Sequence, residues 1–186
     1  MPNNKYEKIL AVAANLISTN GYEGTSLQTI ADKVGLHKST LFHYVKSKEE
    51  LLIRIFERSI NEVSINLDKI STENELDPEE KLREAMENHL ALLIEYFDSS
   101  SILNQMKILP KKSQARYLEG RRKYEKDFEK IVVEMKRKGY FKGLDAKIVT
   151  FGLLGMLNWV PRWYKIDGRL SRKEISNILF KMIVKK

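Results

Sequence analysis

The stretch GLHKSTLFHYVKSKEEL, residues 35–51, sets two of the chain's three histidines, three lysines, a phenylalanine and a tyrosine side by side. A packed core excludes the cations, and a solvated face has no use for the rings. A groove with phosphate walls and a partly apolar floor uses both. Leu36, Leu41 and Val45 are spaced to face inward, which leaves His37, Lys38, Ser39, Thr40, Phe42, His43 and Tyr44 on the outside. On a short helix laid in a major groove, Lys38 can donate to guanine acceptors and Phe42 can touch a thymine methyl. Ser39 and Thr40 can reach bases or phosphate, while Tyr44 and Lys48 stand where a phosphate would lie.

The elements that must position these residues read at helical period. Ile9, Leu10, Ala13, Leu16 and Ile17 form one stripe, stopped near Gly21. Ser26 precedes LQTIADKV, and Gly35 breaks that run before a short helix of roughly residues 37–44. Two short helices separated by VGL make a helix-turn-helix. SKEE at residues 47–50 reads as a capping box opening the next, longer helix. Asp77 with Pro78, and Ser171 with Glu174, mark two further helix starts, and Gly139 a helix stop. A short helix is expected at residues 101–109, and a long charged one from about Ser113 to Lys138. No alternating strand pattern competes. The expected fold is all-α, with about nine helices: a three-helix N-terminal domain at residues 1–48 and a larger helical body at residues 49–186.

With 186 residues, 42% hydrophobic and 31% charged, the chain has a globular composition. It holds no cysteine, which excludes disulfides, thiol catalysis and cysteine-ligated metals. No secretory leader and no apolar run of about 18 residues is present, so a cytoplasmic protein without a membrane partner is expected. The net charge of +8 is unevenly placed. Residues 51–106 carry 5 basic and 12 acidic side chains, whereas residues 107–186 carry 22 and 8. No nucleophile–base pair, glycine-rich phosphate loop or metal cluster is visible, so no enzyme and no cofactor is expected. His89, on the apolar stripe of its helix, reads as a core residue with its hydrogen bonds met rather than as a ligand.

The string GYEGTSLQTIADKVGLHKSTLFHYVKSKEELL closely resembles the DNA-binding domain of the tetracycline-repressor (TetR) family, without a gap over about residues 5–55. The resemblance implies that Thr25 and Ser26 contact phosphate at the start of the supporting helix. Tyr44 and Lys48 do so from the other side, and residues 37–43 read bases. Phe42 stands where tyrosine is common in the family, and Val45 where phenylalanine is common. The family further implies a homodimer on a double-stranded operator, released by a small-molecule effector. The last two helices, about 145–164 and 171–184, are expected to pair across a two-fold axis, with Leu153 and Ile178 on the pairing faces.

Within the family, GMLNWVPRWYKIDGRLSRKEISNILF, residues 155–180, resembles the branch that senses acyl-CoA thioesters, where NWxxxWY and a later GxLSxxEI recur. Trp159 and Trp163, four apart, are expected on one helix face beside Arg162. Arg121 adds a cation for the phosphates, and Phe97, Leu103, Met106, Tyr124 and Phe128 are the candidate lining of an acyl tunnel. Two rival readings stay open on the sequence. One is a repressor of an efflux system that senses lipophilic compounds. The other is a helical adaptor that binds acidic proteins and no DNA.

Overall fold

The computed structural model describes residues 4–96 and 105–184. Among them are eight α-helices and no strand. They are α1 (Asn4–Asn20), α2 (Leu27–Val34), α3 (Lys38–Leu41), α4 (Lys48–Thr72), α5 (Pro78–Tyr96), α6 (Lys111–Arg137), α7 (Ala146–Trp159) and α8 (Arg172–Ile183). Single 3₁₀ turns cover Gln105–Ile108 and Val160–Arg162. The short helix expected at residues 101–109 is such a turn where it is described, and its first part lies outside the described residues.

The chain packs as two compact units. The first comprises Met1–Ser59 and Glu95–Leu118, the second Ile60–Ile94 and Glu119–Lys186. In the first, α1 packs on α2 and α2 on α3, and Ile9, Ala13, Ile17, Ile30, Ala31, Leu41, Leu51 and Leu52 are all buried. Phe56 meets Tyr117 edge to face at 5.1 Å, an arrangement that sets a positive ring edge against a negative face.

The second unit is built on α5 and α6, whose Leu82, Met86, Leu90, Phe128, Ile131 and Met135 are fully buried. Gly120 lies inside α6, where a glycine costs helix stability. A Cβ there would stand 2.8 Å from Cγ1 of Ile60 on α4, so the two helices approach too closely for alanine. Lys81 is buried but held by Glu134 at 3.0 Å.

Caps set the helix boundaries. Gly35 ends α2 in the left-handed region at φ 78°, ψ 40° and donates its N–H to the last carbonyls of the helix. Without a Cβ this conformation carries no steric penalty. The capping box of Ser171 and Glu174 is complete. That of Ser47 is shifted: its hydroxyl accepts from the Glu50 N–H at 3.0 Å, but the Glu50 carboxylate accepts from Lys46, one residue further out.

Candidate functional site

The helix-turn-helix is α2 and α3. The second helix is shorter than its sequence suggests: α3 is one turn, Lys38–Leu41. The chain then tightens, with His43 and Tyr44 bonding back three residues, to Thr40 and Leu41. Leu41 and Val45 are buried and anchor the segment. His37, Lys38, Ser39 and His43 are exposed, and Phe42 keeps 46% of its surface open. Thr40 and Tyr44 are half-buried along the same edge. One short segment thus presents a cation, two hydroxyl side chains, two imidazoles and two rings, the groups needed to meet base edges and phosphates.

The flanking residues divide by geometry. Ser26 is exposed and caps α2, its Oγ accepting from the Thr29 N–H at 3.0 Å. Thr25 is only 1% exposed. Its hydroxyl lies within reach of the carbonyls of Gly21 at 2.9 Å and Leu16 at 3.1 Å. The Thr25 hydroxyl therefore ties down the end of α1 and does not point to the surface. Lys48 also has an internal partner: its Nζ donates to the Tyr22 carbonyl at 2.7 Å and lies 4.1 Å from that ring's centroid. An ammonium carries three N–H groups, so Lys48 can hold this turn and still donate outward.

In the second unit, His89 bridges three helices. Its Nδ1 lies 2.7 Å from the Tyr124 hydroxyl and its Nε2 3.1 Å from Asn158 Oδ1. Burial pushes the imidazole pKa down to about 4, against the opposing effect of the Asn158 hydrogen bond. Neutral histidine then takes the Tyr124 O–H on Nδ1 and donates from Nε2. Burial also raises the Tyr124 hydroxyl above its ordinary value. Tyr124 and Phe128 are buried with ring centroids 6.2 Å apart. Met106 belongs to the first unit, in the turn Gln105–Ile108. Phe97 and Leu103 lie outside the described residues.

Trp159 and Trp163 do not share a helix face. Helix α7 ends at Trp159, and Pro161, which has no N–H to give, sits in the 3₁₀ turn that follows. Trp163 falls beyond it at φ −129°. Both indoles are exposed, and the Arg162 guanidinium, not Trp163, covers the Trp159 ring at 4.6 Å. Arg121 pairs with Glu125 at 3.1 Å.

The apolar surface of α7 and α8 also differs from its sequence reading. Leu153 is 4% exposed and belongs to the chain's own core, while Ile178 is 44% exposed. Ile148, Gly152, Gly155 and Trp159 recur at helical spacing on the open side of α7. A Cβ added at either glycine would meet nothing within 4 Å. One feature had no sequence reading: a cleft of about 310 Å³ between α6 and α7, lined among others by Arg122, Lys126, Lys147 and Phe151. Its cations recur at i, i+4 on α6, but which helix they face is a tertiary fact.

Among the described residues no helix is long and apolar enough to cross a membrane, and no group of three or more His, Cys, Asp or Glu is placed to hold a metal ion. Two family models match the chain. "Bacterial regulatory proteins, tetR family" covers residues 9–55, and "Tetracyclin repressor-like, C-terminal domain" covers residues 75–186. The chain is 26% identical to the HTH-type transcriptional repressor KstR2 of Mycolicibacterium smegmatis, over 94% of this chain and 86% of the relative. It is 24% identical to the fatty acid metabolism regulator protein of Bacillus subtilis, over 97% and 94%. A crystal structure of AibR in complex with isovaleryl coenzyme A and operator DNA matches with a TM-score of 0.78 and 28% identity, over 97% of this chain and 98% of that one. The chain therefore belongs to the TetR family of DNA-binding, ligand-responsive transcriptional regulators, which are transcription factors without a cofactor and not enzymes.

Proposed function

We propose that the chain is a cytoplasmic homodimeric repressor that holds a palindromic operator and lets it go on binding an acyl-CoA thioester. The observation that carries the effector is the likeness to AibR, a protein crystallised with both isovaleryl coenzyme A and operator DNA. The fatty acid metabolism regulator of Bacillus subtilis points to the same chemistry. The basic excess of residues 107–186 supplies a field for an anionic head group.

In this reading residues 1–48 bind DNA and residues 49–186 bind ligand and dimerise. Lys38, Ser39, Thr40 and Phe42 read bases, with His37 and His43 beside them, while Ser26, Tyr44 and Lys48 hold phosphate. Two copies meet through the open strip of α7 and through Ile178 and Met182 of α8, apolar side chains left exposed on one protomer. A two-fold dimer matches a palindrome because each half-site meets an identical head. The acyl chain lies against Tyr124 and Phe128, and the head lies at the basic surface, where Arg121, Trp159, Arg162 and Trp163 are the sequence's candidates. Release requires the effector to favour the DNA-incompetent form.

The test is an operator gel-shift with fatty acids and their CoA esters side by side. The thioester is expected to release DNA at far lower concentration than the free acid. Equal potency of the free acid, or release by neither at any chain length, sinks the acyl-CoA reading.

A further inference from the structure

We infer that the cleft between α6 and α7 holds the phosphorylated adenosine end of the effector. This rests on the acyl-CoA reading and locates its head group. Five cations lie between residues 121 and 130 of α6, and they divide in two. Arg121 pairs with Glu125, and Lys123 and Lys130 both hold Asp127 at 2.7 Å. Asp127 is almost wholly buried; burial raises its pKa, but the two lysine hydrogen bonds outweigh this and carry it below the usual carboxylate range. The remaining two, Arg122 and Lys126, line the cleft, and no carboxylate among the described residues pairs with either. Lys147 faces them from α7. The Glu125 carboxylate at the cleft already has its charge met by Arg121.

The other lining groups suit a nucleotide. Phe151 keeps an exposed ring, with the Lys147 ammonium 5.8 Å from its centroid. A purine can stack on that ring while its phosphates meet Arg122, Lys126 and Lys147. Glu129 can accept from a ribose hydroxyl or an exocyclic amine. About 310 Å³ is at the small end of ligand sites. It fits a phosphorylated nucleoside but not a whole acyl-CoA. Lys147 and Phe151, four residues apart, lie on the flank of α7 beside the Ile148–Gly152–Gly155–Trp159 strip.

The experiment is calorimetry on the full-length protein with isovaleryl-CoA, palmitoyl-CoA, free coenzyme A, adenosine 3′,5′-bisphosphate and palmitate. Adenosine 3′,5′-bisphosphate is expected to bind on its own and to compete with the acyl-CoA. Arg122→Ala and Lys147→Ala are each expected to weaken acyl-CoA binding tenfold or more, Phe151→Leu severalfold, and Lys69→Ala, an exposed cation of α4 away from the cleft, by less than twofold. Palmitate binding and effector-free operator affinity should stay put in all four, which also reports that the variants fold. If the wild type binds acyl-CoA and the Arg122, Lys147 and Phe151 variants bind it within twofold of wild type, the cleft assignment is wrong and the acyl-CoA reading stands. If the wild type binds no acyl-CoA of any length, the acyl-CoA reading fails and takes the cleft assignment with it.

Discussion

The recognition segment and helix α7 both leave aromatic rings in the open, and they differ in what surrounds those rings. Phe42 stands among two imidazoles, an ammonium and two hydroxyl side chains on a helix one turn long. Trp159, 57% exposed, ends a strip whose other members are an isoleucine and two glycines. The first surface mixes charge with small apolar spots and matches a groove of phosphates and base edges. The second is apolar and open above its glycines as far as Trp159, where a single cation, the Arg162 guanidinium, covers the ring, and it suits a protein surface of like kind. Exposure of a ring alone therefore says little; its neighbours assign the partner.

The sharpest way to break this contrast is a charge on the apolar surface. Ile178→Glu should give a monomer with wild-type helical content, because a two-fold interface would bury the charge twice, at several kcal/mol. Operator binding should then fall by at least about 100-fold, consistent with that cost. Analytical ultracentrifugation and a gel-shift read both, and a dimeric, binding-competent Ile178→Glu would dismiss the interface. Leu153→Glu should unfold the protomer instead, since Leu153 packs internally.

On the recognition segment the effect should be smaller and sequence-dependent. Lys38→Ala should cost about 1–3 kcal/mol on the cognate operator and little on random DNA. Equal losses on both would demote Lys38 to a phosphate contact.

A buried polar site offers a reference against both surfaces. Histidine 89 has a pKa near 4 when folded, below its value of 6.5 when free. The unfolded chain therefore takes up the proton first as pH falls. The stability associated with neutral His89 is fully present above 6.5 and is lost on the way down to 4. Between pH 7 and pH 5 the loss is about 2 kcal/mol, measurable as a shift in the urea midpoint. His89→Gln should flatten that part of the profile, and an unchanged slope would show that other groups set it.

The smallest effect separates the two kinds of glycine. Gly152→Ala should raise protomer stability by up to about 1 kcal/mol through helix propensity, while weakening any dimer that crosses there. Gly120→Ala should destabilise, because Ile60 already fills the space. Thermal melts at several protein concentrations distinguish stability from assembly. The same sign for both substitutions would remove the distinction.

Features set by near neighbours in the chain were legible from the sequence. Gly35, the Ser171–Glu174 box and the stripes of α1 and α2 all act within a few residues, and the family pattern over residues 9–55 contains Gly35 and most of both stripes. What was not legible depends on partners distant in sequence or on a break in period. Pro161 ended a helix that the tryptophan spacing assumed continuous. Thr25 found carbonyls of the preceding helix and turn, which no pattern announces. Leu153 and Ile178 have the same chemistry, and only packing tells which one the chain buries in its own core. The α6–α7 cleft joins residues about 25 positions apart in sequence, on two helices whose facing sides hydropathy cannot assign.

The Lys48–Tyr22 contact makes one residue answer to two demands. Its ammonium secures the turn between α1 and α2 and, in the proposed role, also grips phosphate. A substitution there changes the rigidity of the reading head and its grip on DNA together. Selection acting on operator affinity alone has no free setting at this position. Adjustment of binding strength is left to side chains such as Lys38 and Ser39, exposed on α3 with no internal tie among the described residues. Divergence between regulators built this way should therefore collect at those positions, while the lysine and the carbonyl it holds stay coupled.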